Sequence, residues 1–287
     1  MKNMKKIIAL SAAALCAASA LAAVPYRLGI AGYTFTRAGL DKGLSIMKSI
    51  DCHYLCHKDN FVKYDATDAE LAEYKEKLAA AKVECLATGP LYACDEETLV
   101  KQFEFAKKLG IKVIVGVPYE VEPGKKDGWG PQRHESDKML DIVERLVKEY
   151  DVVYAIHNHG PDLPSLFPTG ESVMKRIEKR DRRIGLCLDV GHERRAGKDP
   201  VEFIRRHSDR IYDVHLKNIK IDARQNLAKE GPRGELDIPA ILSALAEVGY
   251  SGVCHVEYEK DFDNNAMGLA ESIGYYRGVM DSIKVNK

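Results

Sequence analysis

One local pattern recurs along almost the whole chain: a short run rich in β-branched and apolar residues, a loop, then an amphipathic stretch with apolar residues at helical spacing. Eight such units fit, with strands expected over 27–32, 52–56, 83–88, 111–117, 152–157, 184–189, 211–216 and 252–257. Helices are expected near 39–49, 68–82, 95–109, 134–150, 170–180, 200–208, 238–248 and 265–283. Their starts carry cap signals: Thr67 with Glu70 three residues on, Asp95 ahead of "EETLVKQFEFAKKLG", and Asp199 followed by Pro200. Gly110 and Gly249 stand where helices should stop.

Strict alternation of strand and helix implies parallel strands, because each crossover returns the chain to the same end of the sheet. An open doubly wound sheet would carry a GxGxxG turn after the first strand and a change of rhythm mid-chain, and neither occurs. The expectation is an α/β protein, a single-domain (β/α)8 barrel over 23–287. At 287 residues and 45% hydrophobic content the chain can bury that core.

The first residues, "MKNMKKIIALSAAALCAASALAA", combine Lys2, Lys5 and Lys6 with an apolar run too short and alanine-rich to span a bilayer. Ala20 and Ala22 are the small residues expected before a cut. Residues 1–22 therefore read as a signal peptide, and the mature protein as exported to the periplasm with no membrane span. Leu15 is too bulky before Cys16 for a lipoprotein. Six cysteines remain, without a CxxC metal pattern, so buried free thiols are expected, with Cys52–Cys56 or Cys85–Cys94 as alternative pairings. Basic and acidic residues number 43 each, which leaves no field for nucleic acid or anionic lipid. The oligomeric state is not legible.

Strand parity indicates which side chains face the barrel axis. In "RIGLCLD" the bulky Ile184, Leu186 and Leu188 face the helices, and Gly185, Cys187 and Asp189 point inward. In "IYDVHLK" Tyr212, Val214 and Leu216 form the outer set, and Asp213, His215 and Lys217 the inner. The inner set of "VVYAIHNH" is Val153, Ala155 and His157, with His159 next in phase; that of "GVCHVEYE" is Val253, His255 and Glu257.

Four successive strands thus end, on the inner face, in His157, Asp189, His215 and Glu257. A barrel gathers those ends into one ring. Two imidazoles and two carboxylates suit a borderline divalent ion, Mn²⁺ or Zn²⁺, with Mg²⁺ or Co²⁺ as further choices. An ion-pair and hydrogen-bond network is the alternative for four buried polar groups. Lys217 shares the face of His215 and can steady a developing oxyanion, or pair with an acid. His192 begins the following loop and can bond a substrate hydroxyl, or cap that loop. His159 competes with His157 for the ion, and His255, one layer deeper, orients a ligand or packs in the core.

Together "AIHNHG", "GLCLDVGH", "DVHLKN" and "GPRGELDIPAILSALAEVGYSGVCHVEYE" resemble the late-strand motifs of the xylose-isomerase-like TIM barrels. That group includes sugar isomerases and epimerases, inosose dehydratases and endonuclease IV. The resemblance covers nearly the whole mature chain and is densest from Tyr154 to Glu259. It implies a divalent ion held by an acid at the fifth barrel strand, an aspartate at the sixth, a histidine at the seventh and a glutamate at the eighth. Asp189, His215 and Glu257 match; the fifth position departs, with His157 where many isomerases carry glutamate. The family's epimerases and ketose isomerases often use the two glutamates as paired bases, so this departure weakens a two-base reaction. A one-base elimination, hydration or cis-enediolate isomerisation survives. In "GPRGELD", Arg233 or Glu235 would touch substrate or shape the loop. The endonuclease branch needs further metal ligands and a grip on DNA, against which the neutral charge balance argues.

The resulting expectation is a metal-dependent sugar isomerase or epimerase acting on a free or keto sugar. Proton transfer beside a metal-chelated carbonyl would be carried by Glu257, Lys217 and His192. The alternatives are a lyase or hydratase eliminating across a 3-keto-sugar or keto-glycoside, and, outside enzymes, a metal-containing sugar-binding barrel. Export argues against a phosphorylated substrate.

Overall fold

The computed structural model describes residues 23–161, 166–222 and 226–284; the signal peptide expected over 1–22 lies outside them. Eight parallel strands close a barrel: β1 (Arg27–Ala31), β2 (Tyr54–His57), β3 (Glu84–Ala93), β4 (Val113–Pro118), β7 (Val153–His157), β8 (Ile184–Asp189), β9 (Ile211–Leu216) and β12 (Val253–Val256). Each pairs with the next, and β12 returns to β1 through Arg27 opposite Val253. Two antiparallel hairpins, absent from the sequence expectation, decorate the loops: β5 (Glu120–Val121) with β6 (Arg133–His134), and β10 (Ile219–Ile221) with β11 (Asn226–Ala228).

The helices are α1 (Leu40–Ser49), α2 (Asp68–Ala80), α3 (Glu96–Leu109), α4 (Asp137–Tyr150), α5 (Gly170–Ile177), α6 (Val190–Arg195), α7 (Pro200–His207), α8 (Ile238–Glu247) and α9 (Ala266–Ser282). Thr67 and Glu70 form a reciprocal capping box, Asp95 accepts from Thr98 N–H, and Pro200 opens α7 behind the Asp199 cap. Gly110 ends α3 with a φ of 75°, in the left-handed region glycine adopts without strain. The sequence expectation missed α6 and placed His192 in a loop. It also started α4 at 134, although that residue is held in β6.

The barrel separates two apolar layers. Strands and helices enclose the main core, including Leu186, Leu188, Val214 and Leu216, while Cys56, Ala87, Val115, Ala155 and Cys187 form a small cluster on the axis. Of the apolar side chains assigned a face in the late strands, Tyr212 crosses this division. The register slips between Leu186–Ile211 and Cys187–Asp213, so that Tyr212 lies in a bulge. It packs against the axial cluster and occupies the space a side chain at Gly185 would need. All six cysteines among the described residues are free, so neither alternative pairing forms, and Cys85 and Cys94 are only half-buried.

Candidate active site at the carboxyl end of the barrel

The last residues of β7 and β8, an inward residue of β9, and the first residue beyond β12 bring His157, Asp189, His215 and Glu257 together. One donor atom from each lies within 4.8 Å of the others, and all four residues are buried. His157 Nε2 is 3.6 Å from Asp189 Oδ2, and His215 Nδ1 is 3.5 Å from Glu257 Oε1. The two carboxylates divide their oxygens between tasks. Asp189 Oδ1 caps α6 by accepting from His192 N–H at 2.8 Å, leaving Oδ2 toward the ring. Glu257 turns Oε1 to His215 and Oε2 to Lys217, 2.7 Å from its Nζ.

This donor set fits a divalent ion. Among the described residues both ring nitrogens of His157 and of His215 are buried without a hydrogen-bond partner, which is costly unless another ligand satisfies them. Cys187 brings its sulfur within reach of the same imidazoles, but burial pushes its thiol well up, so the two-nitrogen, two-oxygen set is the better match.

Lys217 is the hub of the electrostatics. Its ammonium lies 2.7 Å from Glu257, 3.2 Å from Glu259 and 3.4 Å from Asp189, and 3.1 Å from His192 Nε2. Burial opposes its charge, but Asp189, Glu257 and Glu259 outweigh burial and raise its pKa well above the ordinary lysine value. Burial likewise works against ionised Asp189 and Glu257, yet Lys217 foremost, then the imidazoles, holds both carboxyls well below the usual range. Glu259 ends on the other side: burial raises it despite Lys217. His157 and His192 are lowered, chiefly by burial, and Lys217 adds to the effect on His192. His215 is raised because Glu257 outweighs its burial.

The remaining sequence candidates divide clearly. His159 leaves the strand direction and lies with its ring centroid 4.0 Å from that of His192, so His157, and not His159, joins the four-residue ring. His255 Nδ1 is 2.8 Å from Asp213 Oδ1 in the barrel interior, behind His215, outside the ligand set. Arg233 does not reach the site. It is exposed and holds Glu271 with Nε and Nη2 at 2.6 and 2.9 Å. The "GPRGELD" segment shapes the loop: Asn218 donates to Gly231 O at 2.7 Å and accepts from Leu236 N–H at 3.1 Å, while Glu235 accepts from Ile221 N–H.

Over the ring opens a cavity of about 300 Å³ whose walls include Tyr33, Lys58, Tyr92, Trp129 and Glu259, none of them anticipated. Glu259 was legible, since it follows Glu257 by two and keeps its face. Tyr92 was hidden because β3 runs to Ala93, well past the expected end at 88. Trp129 sits in the loop closed by the β5–β6 hairpin and carries no periodic signal.

Residues 48–279 match the xylose isomerase-like TIM barrel family. The rhizopine catabolism protein MocC of Rhizobium meliloti is 34% identical over 140 residues, 43% of this chain but only 42% of that protein, so less than half of its length is matched. An inosose dehydratase of Clostridium beijerinckii is 24% identical over 79% of this chain and 83% of its own. Among solved structures, IOLI protein with a bound zinc atom superposes with a TM-score of 0.65 at 23% identity, covering 88% of this chain and 96% of that one, a likeness of fold. Among the described residues no helix is long and apolar enough to cross a membrane.

Proposed function

Because the chain belongs to the xylose isomerase-like TIM barrel family, we propose that it is a metal-dependent carbohydrate enzyme which removes the proton beside a carbonyl of a keto-sugar or keto-polyol and expels a β-hydroxyl as water. The observation that carries this reading is that the carboxylates lining the cavity stand together at one strand end. Glu257 and Glu259 project from one strand end onto Lys217, whereas the fifth barrel strand ends in the imidazole of His157. A two-base epimerisation needs acid and base on opposite faces of the substrate; an elimination does not.

His157, Asp189, His215 and Glu257 would hold a divalent ion, which would supply Lewis-acid polarisation of the substrate carbonyl. Glu257 Oε2, ionised and facing Lys217, takes the proton from the carbon next to that carbonyl. The electron pair of the broken C–H bond forms the new C=C bond as the β C–O bond breaks, and Lys217 donates a proton to the departing hydroxyl, which leaves as water. Glu257 then returns its proton to Lys217 across 2.7 Å, restoring both groups. His192 Nε2, 3.1 Å from Nζ, keeps the ammonium directed at this position. The name of the inosose dehydratase relatives supports an elimination.

Glu259 favours a second reading, one-base isomerisation. In it Glu257 would carry the proton from one carbon to its neighbour, while Lys217 and Glu259, 3.2 Å apart, would relay the hydroxyl proton from one substrate oxygen to the other. An NMR time course of metal-loaded protein with keto-sugars and keto-cyclitols in deuterated water decides. Unsaturated product supports elimination, deuterated isomer supports isomerisation, and binding without exchange or product would leave a non-catalytic sugar-binding barrel.

A further inference from the structure

Trp129 is the single tryptophan of the chain, and the residue is 54% exposed in the wall of the cavity that Glu257 and Lys217 also line. Hydrogen bonds within its loop brace the backbone around it. Asp127 accepts from Tyr119 Oη and from Arg133 Nε, both at 2.8 Å, and Gln132 Nε2 donates to Gly128 O at 2.6 Å. The Arg133 guanidinium lies 4.5 Å from the centroid of the Tyr119 ring and 5.4 Å from that of the indole. Tyr92 and His159 meet the indole in T-shaped contacts with centroids 5.7 Å away.

A large apolar side chain held in one orientation, yet left half in water at the mouth of a polar site, is what ligand pockets use to fix one face of a ligand. Tyr33, likewise part-exposed, adds a second aromatic surface to the same cavity, so an aromatic upper wall stands over a charged floor. A six-membered cyclic polyol matches both: its ring carbons present a flat C–H face, and its oxygens lie around the rim. An open-chain ketose has no persistent apolar face and loses more rotational freedom on binding. About 300 Å³ is near the lower end of ligand pockets, roughly 300–1,000 Å³, and accommodates one ring in preference to an oligosaccharide.

We propose that Trp129 is a specificity-determining residue which binds the substrate as a closed six-membered ring, a pyranose-type keto-sugar or a keto-cyclitol, with one C–H face against the indole and its carbonyl edge toward Glu257 and Lys217. This rests on the reaction proposed above, and it adds the ring form of the substrate and the surface that selects it.

The lone tryptophan makes binding observable apart from turnover. Metal-loaded full-length protein is titrated with 2-keto-myo-inositol, with methyl 3-keto-glucopyranoside and with erythrulose, which cannot close a six-membered ring, while tryptophan emission and turnover are recorded separately. The expected result is a saturable emission change with one or both ring ketones and none with erythrulose; which ring responds tells cyclitol from pyranose. Trp129→Ala should raise KM for the ring substrate about tenfold with kcat within a few-fold, and Trp129→Phe should restore most of the affinity. Ring ketones converted with no emission change, an unaltered KM in Trp129→Ala, or preferred binding of erythrulose would each overturn the inference while leaving the elimination intact. An emission change without turnover of any ketone would support the ring surface and remove the reaction.

Discussion

Asn158 holds both backbone polar groups of Asp189: its Oδ1 accepts from the Asp189 N–H at 2.8 Å, and its Nδ2 donates to the Asp189 carbonyl at 3.2 Å. The same Nδ2 reaches Glu193 Oε2 at 3.1 Å, and that carboxylate also accepts from Gly170 N–H at 2.7 Å, where α5 begins. The residue after one proposed ligand therefore fixes the backbone of the next. Asn158→Ala should weaken metal binding roughly 10- to 100-fold, as loss of groups that orient ligands does, and lower stability by about 1–3 kcal/mol. Calorimetric metal titration alongside thermal melting tests this, and unchanged affinity in a folded variant would remove Asn158 from the site.

The four-residue ring has donors for one ion, so purified protein should carry about one divalent ion per chain. Elemental analysis of Asp189→Ala and His215→Ala should show the site emptied in folded protein. Full occupancy in both variants would end the assignment.

Lys217 and Arg233 should separate sharply. Lys217→Met removes the proposed proton donor and should lower kcat by roughly 10²- to 10⁴-fold. Arg233→Ala, which breaks only an exposed pair with Glu271, should leave kcat and KM within about twofold and stability within about 0.5 kcal/mol. A large activity loss in Arg233→Ala would mean that the loop closes on the substrate.

His157→Glu places a carboxylate at the end of β7, three strands round the barrel from β12, which Glu257 follows. Carboxylate and imidazole both suit a borderline ion, so metal should be retained. The product mixture on a keto-sugar should shift toward epimer as the second base appears. An unaltered product ratio, followed by NMR in deuterated water, would strip the histidine of mechanistic meaning.

Burial raises the Glu193 carboxyl from 4.5 to about 7. Between those values the folded protein holds a proton that the unfolded chain has released, so its stability falls as pH rises and levels off above about 7. Glu193→Gln, which cannot ionise, should escape this loss. Its stability relative to wild type should rise by up to about 3 kcal/mol between pH 4.5 and pH 8. Melting curves that stay parallel across that range would show that Glu193 titrates normally.

The eightfold alternation and the parity of each strand were enough to expect the barrel and to place His157, Asp189, His215 and Glu257 on its inner face. Both signals are local. A strand alternates faces every residue, and a closed parallel barrel must bring the carboxyl ends of neighbouring strands together, whatever the loops do. Parity erred at Tyr212, where one extra residue slips the register, and it left His157 and His159 equivalent because both share a phase. Only the tertiary structure separated them, since the chain turns after His157 and sends His159 to His192. The same holds for Trp129 over the cavity, for Arg233 turned outward to Glu271, and for Asn158 clamped between Asp189 and Glu193. These placements depend on where loops travel once distant segments pack. A loop has no repeating geometry from which its side-chain directions can be read; contacts between residues far apart in the chain decide them.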